Sequence, residues 1–430
     1  MSKIIVIGGG ISGLTAARRL LEFGHNVTIL EADNRLGGRI HTVQGKFSQP
    51  VELGAEFIHG KQPLTFALMK EARCKSVLRK GNHYTIVNDD LDKGELVDEG
   101  WNKLMRELDK LQEDTDMANF LDTRLGNPEY EELRERVRRF AEGFDIADVN
   151  RVSAISLRNE WSNNDEEHQY HIAGGYQKLI HYLDKKVRVM GGTILTGCKV
   201  VEIRWRKGKV TAVLENGSTH DAEKVIMTVS LGILKRGGIR FDPPIPEQEE
   251  AFRNIGFGGV IKFLFEFKEP FWHDQLSEPD GGQVRDARSL EKLSFIFSDA
   301  PVPTWWTQRP DEFALLTGWL GGPGSFTAPK RTDALYEKAE RSLCYILKCS
   351  PTYLQSQLNH WHISNWTEES NHFGAYTYPM VRTTEARKLL SSPLSNTLYF
   401  AGEGIHEGNS SGTVEAALAS GMRVADTIDR

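Results

Sequence analysis

The sequence predicts an α/β protein of two domains. One is discontinuous and built on a Rossmann-like parallel sheet; the other, inserted into it, combines a mixed sheet with helices. Three observations carry this prediction. Residues 3–31 read as strand, glycine turn, helix and strand. The middle of the chain moves between helical and alternating periodicity. Residues 396–428 return to a strand ending in glycines and a closing helix. At 430 residues the chain has room for two or three domains of about 100–200 residues each.

"KIIVIG" is an apolar run of the kind buried on both faces of a parallel sheet. Leu14, Ala17, Leu20 and Leu21 mark the inner stripe of the following helix, and Gly24 closes it. "NVTILE" is the next parallel strand. Between 95 and 144, Trp101, Leu104, Met105, Leu108 and Leu111 recur at helical spacing. Asn127-Pro128 then acts as cap and first-turn proline for a second amphipathic helix carrying Tyr130, Leu133, Val137, Phe140 and Phe144. From 187 to 229 the pattern is that of a β-meander with Lys-Gly and Asn-Gly turns. Strands are expected at 259–267, 294–298 and 313–318, an exposed turn at 277–283, a helix over 330–348 and a last helix over 413–428. No internal repeat is present. The first domain is assigned residues 1–75, 187–250 and 386–430, and the inserted one 76–186 and 251–385.

Composition narrows the function classes. The chain is 39% hydrophobic, 26% charged and 9% aromatic, with a formal net charge of −6 and both signs mixed along it. This argues against a nucleic-acid scaffold and mildly favours cationic substrates. Cys74, Cys198, Cys344 and Cys349 form no C-x-x-C pair and have no histidine cluster beside them, so no metal site is expected and the thiols suit a reducing compartment. No run of 18 apolar residues occurs and no secretory leader precedes Ile4, so the expectation is a cytoplasmic protein with no membrane partner.

Two stretches point to chemistry. Gly8-x-Gly10-x-x-Gly13 stands between a strand and a helix. Gly8 permits the turn, Gly10 lets backbone approach a pyrophosphate, and Gly13 allows close helix–strand packing. Ser12 joins them in the first helical turn, where free N–H groups favour anions. Glu31 ends the second strand 18 residues beyond Gly13, a position that suits a ribose hydroxyl. The motif serves NAD and FAD alike. The second stretch is "GVIKFLFEF", 259–267, in which Ile261, Phe263, Phe265 and Phe267 share one face and Lys262 lies between Val260 and Leu264 on the other. An ammonium is costly to bury without partners. A lysine snorkelling to a strand edge is the structural alternative, but both its neighbours on that face are apolar.

After Glu31 comes "EADNRLGGRIHT", with Arg35 and Arg39 around Gly37 and Gly38. Here the sequence resembles the flavin amine oxidase family, which includes monoamine oxidases, polyamine oxidases and lysine-specific histone demethylases. The resemblance continues through "ELGAEFIHG" (52–60), "TVSLGILK" (228–235), "VIKFLFEFKEPFW" (260–272), "NWTEESNHFGAYTYPM" (365–380) and "YFAGEG" (399–404). It implies a glutathione-reductase-type FAD-binding domain and a flavin that accepts a hydride equivalent from an amine. Oxygen would then reoxidise the flavin, giving imine and hydrogen peroxide.

The resemblance also implies roles. Arg35, Gly37, Gly38 and Arg39 would hold the FAD pyrophosphate near the flavin ring, and the backbone of Val200 would meet the adenine. Gly402 and Glu403 would bind the ribityl–phosphate part, with Thr413 and the backbone of Val414 at the pyrimidine end. Lys262 would reach a water held against flavin N5, where a positive charge stabilises reduced flavin and superoxide. Trp366 would pack beside the ring, Tyr376 would stand at the substrate face, and His59 with Glu56 would shape a substrate tunnel. Ala375 occupies the place of the flavin-linking cysteine of monoamine oxidases, so FAD is expected to be non-covalent. Thr413 replaces their second cage tyrosine, leaving a half-built aromatic cage. The partners expected are a small amine, of which a polyamine is one candidate, and dioxygen. A desaturase or dehydrogenase of the same fold, and a flavin-loaded protein without turnover, are the alternatives. Glu160 and the acids at 165–167 read as a solvated loop rather than a polycation trap.

Overall fold

The structure, a computed structural model, describes residues 1–92, 99–162, 168–273, 289–408 and 410–430. The turn expected at 277–283 and the acids at 165–167 lie outside the described residues. Five parallel strands form one sheet, in the spatial order Thr193–Leu195, Asn26–Leu30, Lys3–Ile7, Lys224–Met227 and Leu398–Phe400. They come from the beginning, middle and end of the chain. Period-two alternation sends Ile4 and Val6 to one face and Ile5 and Ile7 to the other. The first face packs under the helices Ile11–Glu22, Gln177–Val189 and Val414–Asp429. The second packs against an antiparallel sheet and the helices Pro246–Arg253 and Thr383–Ser391. Both faces are therefore covered, as a parallel sheet requires.

The stretch 187–229 is not one meander. Its first residues finish the helix Gln177–Val189, and only Val200–Arg206, Lys209–Leu214 and Thr219–Ala222 form the antiparallel set. Lys224–Met227, apolar on both sides, enters the parallel sheet instead, where both of its faces are covered. The expected Lys-Gly and Asn-Gly turns are present, with Gly208 and Gly217 at positive φ.

The second large sheet has seven strands in the order Leu358–Asn365, Val260–Phe267, Leu315–Gly321, Thr304–Trp306, Leu293–Ser298, Asn82–Val87 and Asp90–Asp92. It is mixed, because Leu293–Ser298 runs parallel to Asn82–Val87 while its other pairings are antiparallel. Ile261, Phe263, Phe265 and Phe267 enter its main core, as their alternation predicts, together with Leu335, Leu343 and Ile346 of the helix Thr332–Leu347. The helices Glu99–Leu108, Met117–Arg124, Glu131–Gly143 and Ala154–Ser162 form a separate cluster around Leu104, Phe120, Leu121 and Val137. Asn127 and Pro128 open the 3₁₀ turn Pro128–Tyr130 that leads into the third of these helices.

Candidate active site

The glycine turn is built by contacts that only glycine permits. Gly8 has φ +111°, and a Cβ on Gly13 would stand 2.1 Å from Gly8 O. Gly10, by contrast, has open space beside it, its nearest neighbour being Gly37 O at 3.9 Å. The Arg35–Arg39 segment zips onto this turn. Gly37 N–H donates to Gly9 O at 3.0 Å, and Gly10 and Gly37 form a bridge. Glu31 is buried and accepts from the N–H groups of Gly9 at 2.5 Å and Asp33 at 2.7 Å. Burial pushes its carboxyl up, against those two hydrogen bonds. Arg35 donates to the carbonyls of Ile40 and Gly38, so it braces the loop that presents Gly37 and Gly38.

Arg39 reaches across to the far end of the chain, donating to Ala375 O at 2.5 Å and to Glu403 Oε1 at 2.7 Å. Glu403 also accepts from Thr377 Oγ1 at 2.6 Å. A crevice between the strand ends is lined by Arg39, Met227, Val229, Gly402 and Glu403. Gly402 has φ +138°, and a Cβ there would have nothing within 4 Å, so its backbone faces open space. Thr413 caps the helix Val414–Asp429: its Oγ1 accepts from Ala416 N and donates to Ser410 O. The hydroxyl is thereby occupied in the cap, which leaves the N–H of Val414 at the helix start. Val200, buried, opens the strand Val200–Arg206.

Lys262 is 1% exposed. In the ladder it stands opposite Trp319 on one side and Ser364 on the other. Its Nζ donates to Glu56 Oε2 at 2.5 Å and to Gly54 O at 3.3 Å, and lies 5.5 Å from the Trp306 ring centroid. Glu56 Oε1 accepts from Trp306 Nε1 and Gln308 Nε2, each at 3.0 Å. Burial alone would raise the Glu56 carboxyl, but Lys262, Arg79 and the Gln308 bond outweigh it and hold Glu56 below its ordinary value. The ammonium thus has a partner in a buried ion pair, and Glu56 lies against Lys262.

Tyr376 donates its hydroxyl to Phe144 O at 3.0 Å and lies 6.4 Å from Trp319, centroid to centroid. Burial, reinforced by the carboxylates of Asp145 and Glu403, holds its phenol well above the ordinary value. Trp366 is buried, donates Nε1 to Leu53 O at 2.8 Å and meets His372 edge-on. His59 lies among aromatic rings, 5.9 Å from Phe57 and 6.3 Å from Phe144, and burial pushes it down to about 4. Glu160 is exposed, in the helix Ala154–Ser162.

Lys262, Tyr376, Trp366, His59 and Glu56 are brought together from three segments, 52–60, 260–272 and 365–380. The sequence reading did not single out Trp306, Gln308 or Trp319. Trp319 meets Lys262 through register alone, and register is not written in either strand by itself. The apolar run "TWW" at 304–306 was the one available signal for the others.

The residues fit a dinucleotide flavin. Ser12 Oγ is buried and has no hydrogen-bond partner among the described residues; it stands at the start of Ile11–Glu22, whose N-terminus has no side-chain cap. Open backbone at Gly10 and Gly402 leaves room at both ends of the cradle. A model of the family of flavin-containing amine oxidoreductases matches residues 11–429. The chain is 26% identical to polyamine oxidase 4 of Oryza sativa subsp. japonica over 99% of its own length and 88% of that protein's. It is likewise 26% identical to polyamine oxidase 2 of Arabidopsis thaliana, over 99% of its own length and 87% of that protein's. Wild-type putrescine oxidase bound to putrescine superposes with a TM-score of 0.80 at 18% identity, covering 100% of this chain and 99% of that one. Cyclohexylamine oxidase from Brevibacterium oxydans IH-35A gives 0.78 at 20%, covering 100% and 98%. The chain therefore belongs to the family of flavin-containing amine oxidoreductases, and its cofactor is a flavin.

Proposed function

We propose that the protein oxidises a primary or secondary amine to the imine while dioxygen is reduced to hydrogen peroxide. Bound FAD supplies the acceptor for the hydride equivalent and the donor that reduces dioxygen. The observation that carries the reading is the Lys262 ammonium, 1% exposed and held at 2.5 Å from Glu56 on the sheet face shared with Trp319. A cation fixed there favours negative charge on the reduced cofactor and on superoxide. Gly8, Gly10, Ser12, Gly13, Glu31, Gly37, Gly38 and Arg39 hold the dinucleotide, with Val200 at the adenine end and Gly402, Glu403, Thr413 and Val414 at the flavin end. Trp366 flanks the ring. Tyr376 positions a neutral amine, and His59, uncharged at neutral pH, lines its path. No protein base is required for direct hydride transfer from a neutral amine. The polyamine and putrescine oxidases among the similar proteins support an aliphatic substrate. The four cysteines are free, which suits the cytoplasm.

The test is the visible spectrum of the purified protein, mixed without oxygen with amines, polyamines and amino acids in turn. Bleaching by an amine, with peroxide formed on readmission of oxygen, is the expected result. A yellow protein that no amine bleaches would overturn the reading in favour of a desaturase or a flavoprotein without turnover.

A further inference from the structure

Arg79 follows the strand Ser76–Leu78, and its backbone N–H donates to Gln169 O at 2.8 Å. The residue is only 7% exposed. Its Nη2 donates to Thr307 O, but Nε and Nη1 have no hydrogen-bond partner among the described residues. The guanidinium lies over two aromatic faces, 5.0 Å from the Phe57 centroid and 5.1 Å from that of Phe295. The acids that act on it, Glu56 and Asp311, do so only at a distance. Glu56 is taken up by Lys262, Trp306 and Gln308. Asp311, 44% exposed, stands 3.4 Å from His171 Nε2 on the solvent side.

Two further buried atoms beside it lack partners among the described residues, Gln169 Oε1 and His171 Nδ1. Gln169 and His171 are two apart on the strand Gln169–Ile172 and so share a face. Gln169 pairs across with His59, which places His59 on that face too. Phe57 connects this cluster to the reaction site. Its ring touches Arg79 on one side and, at 5.4 Å, Trp306 on the other, whose Nε1 holds Glu56. A buried guanidinium with two unpaired donors is costly to keep, and so is an amide oxygen without a donor.

We propose that Arg79, beside Gln169 and His171, forms a subsite for a carboxylate carried by the amine substrate at the end remote from the reacting amine. The proposal rests on the amine-oxidation reading of the same site and narrows its substrate class to ω-amino carboxylates. The carboxylate supplies acceptors to Nε and Nη1 of Arg79, and the Gln169 amide, turned by half a rotation, donates its NH2 group to the same oxygens. A diamine of equal length would bring a second ammonium against the guanidinium instead.

The experiment uses the FAD-loaded enzyme and three substrates of one chain length: 6-aminohexanoate, 1,6-diaminohexane and hexylamine. Anaerobic flavin reduction is read for each, on the native enzyme and on Arg79→Met and Arg79→Lys. The expected result is that 6-aminohexanoate gives the highest kcat/KM. Arg79→Met lowers that value about 10- to 100-fold through KM, the range of one charge-assisted contact. Hexylamine loses far less than 6-aminohexanoate, and Arg79→Lys recovers part of the loss. Hexanoate, which has the carboxylate without the amine, is titrated into the native enzyme in parallel. On the native enzyme it raises the melting temperature and competes with both 6-aminohexanoate and hexylamine, and on Arg79→Met it does neither. If hexylamine or the diamine reduces the flavin best and hexanoate does not bind, the subsite is refuted and Arg79 is a water-satisfied structural cation, while amine oxidation stands. If no amine reduces the flavin, the oxidase reading falls, and hexanoate binding alone then decides the subsite.

Discussion

Removing one partner of the Lys262–Glu56 pair gives a stability change whose size and pH dependence follow from the geometry. In Lys262→Met the Glu56 carboxylate keeps its bonds from Trp306 and Gln308 but loses the 2.5 Å ammonium contact, in a site where Glu56 is 7% exposed. An uncompensated buried charge of this kind costs about 3–5 kcal/mol. The double variant Lys262→Met with Glu56→Gln removes both charges and still accepts one of the two neutral bonds, so it should lie within about 1–2 kcal/mol of the native protein. The assay is urea unfolding at one fixed excess of FAD, since ligand binding shifts apparent stability. The pH arm sharpens it. In the native protein Glu56 lies below its ordinary value of 4.5, so its contribution is present above that value and is lost as pH falls through its folded value. Without Lys262 burial dominates, the folded value moves above 4.5, and stability is lost as pH rises through it. The two curves should therefore converge towards pH 4.5 and separate towards pH 8. A deficit constant over that range, or a double variant as unstable as the sum of the singles, would refute the reasoning.

Other perturbations test the rest of the site. Gly13→Ala puts a Cβ 2.1 Å from Gly8 O, so the helix must move off the strand end; the purified variant should be colourless at 450 nm, on the order of the flavin absorption maximum. Tyr376→Phe keeps the ring and leaves Phe144 O without its donor, costing about 1 kcal/mol in urea while amine turnover stays within about threefold. Tyr376→Ala removes the ring as well and should lower kcat/KM by about tenfold or more. Burial holds His41 and His59 at about 4 and His372 at about 3, all below the ordinary 6.5. Their neutral forms contribute stability above pH 6.5 that is lost as pH falls towards 4, and His59→Phe should flatten part of that acid limb in pH-dependent melting.

The local parts of this protein were legible because their signals are local. The GxGxxG turn, its flanking apolar strand and the helix stripe of Leu14, Ala17 and Leu20 all lie within one βαβ unit, and the structure places them as read. The alternation of Ile261, Phe263, Phe265 and Phe267 against Val260, Lys262 and Leu264 gave the two faces of the strand Val260–Phe267. The short strand Thr304–Trp306 and the half-buried Leu358–Asn365 were not legible, because neither has an apolar period of its own. Lys224–Met227 was read into the wrong sheet, because parallel pairing joins segments far apart and leaves no turn between them to see.

The sequence by itself therefore determined the dinucleotide-type glycine turn and the presence of a lysine inside an apolar strand: each depends on residue types at short spacing. Only the tertiary structure decided what those groups do to one another. It matched Lys262 with Glu56, 206 positions away, surrounded that pair with Trp306, Gln308 and Trp319, and left Arg79 beyond Phe57 with Nε and Nη1 buried and unpartnered among the described residues. The physical reason is that charge compensation acts over a few ångströms in space, whereas the chain brings its charges there from segments whose separation in sequence carries no trace of the meeting.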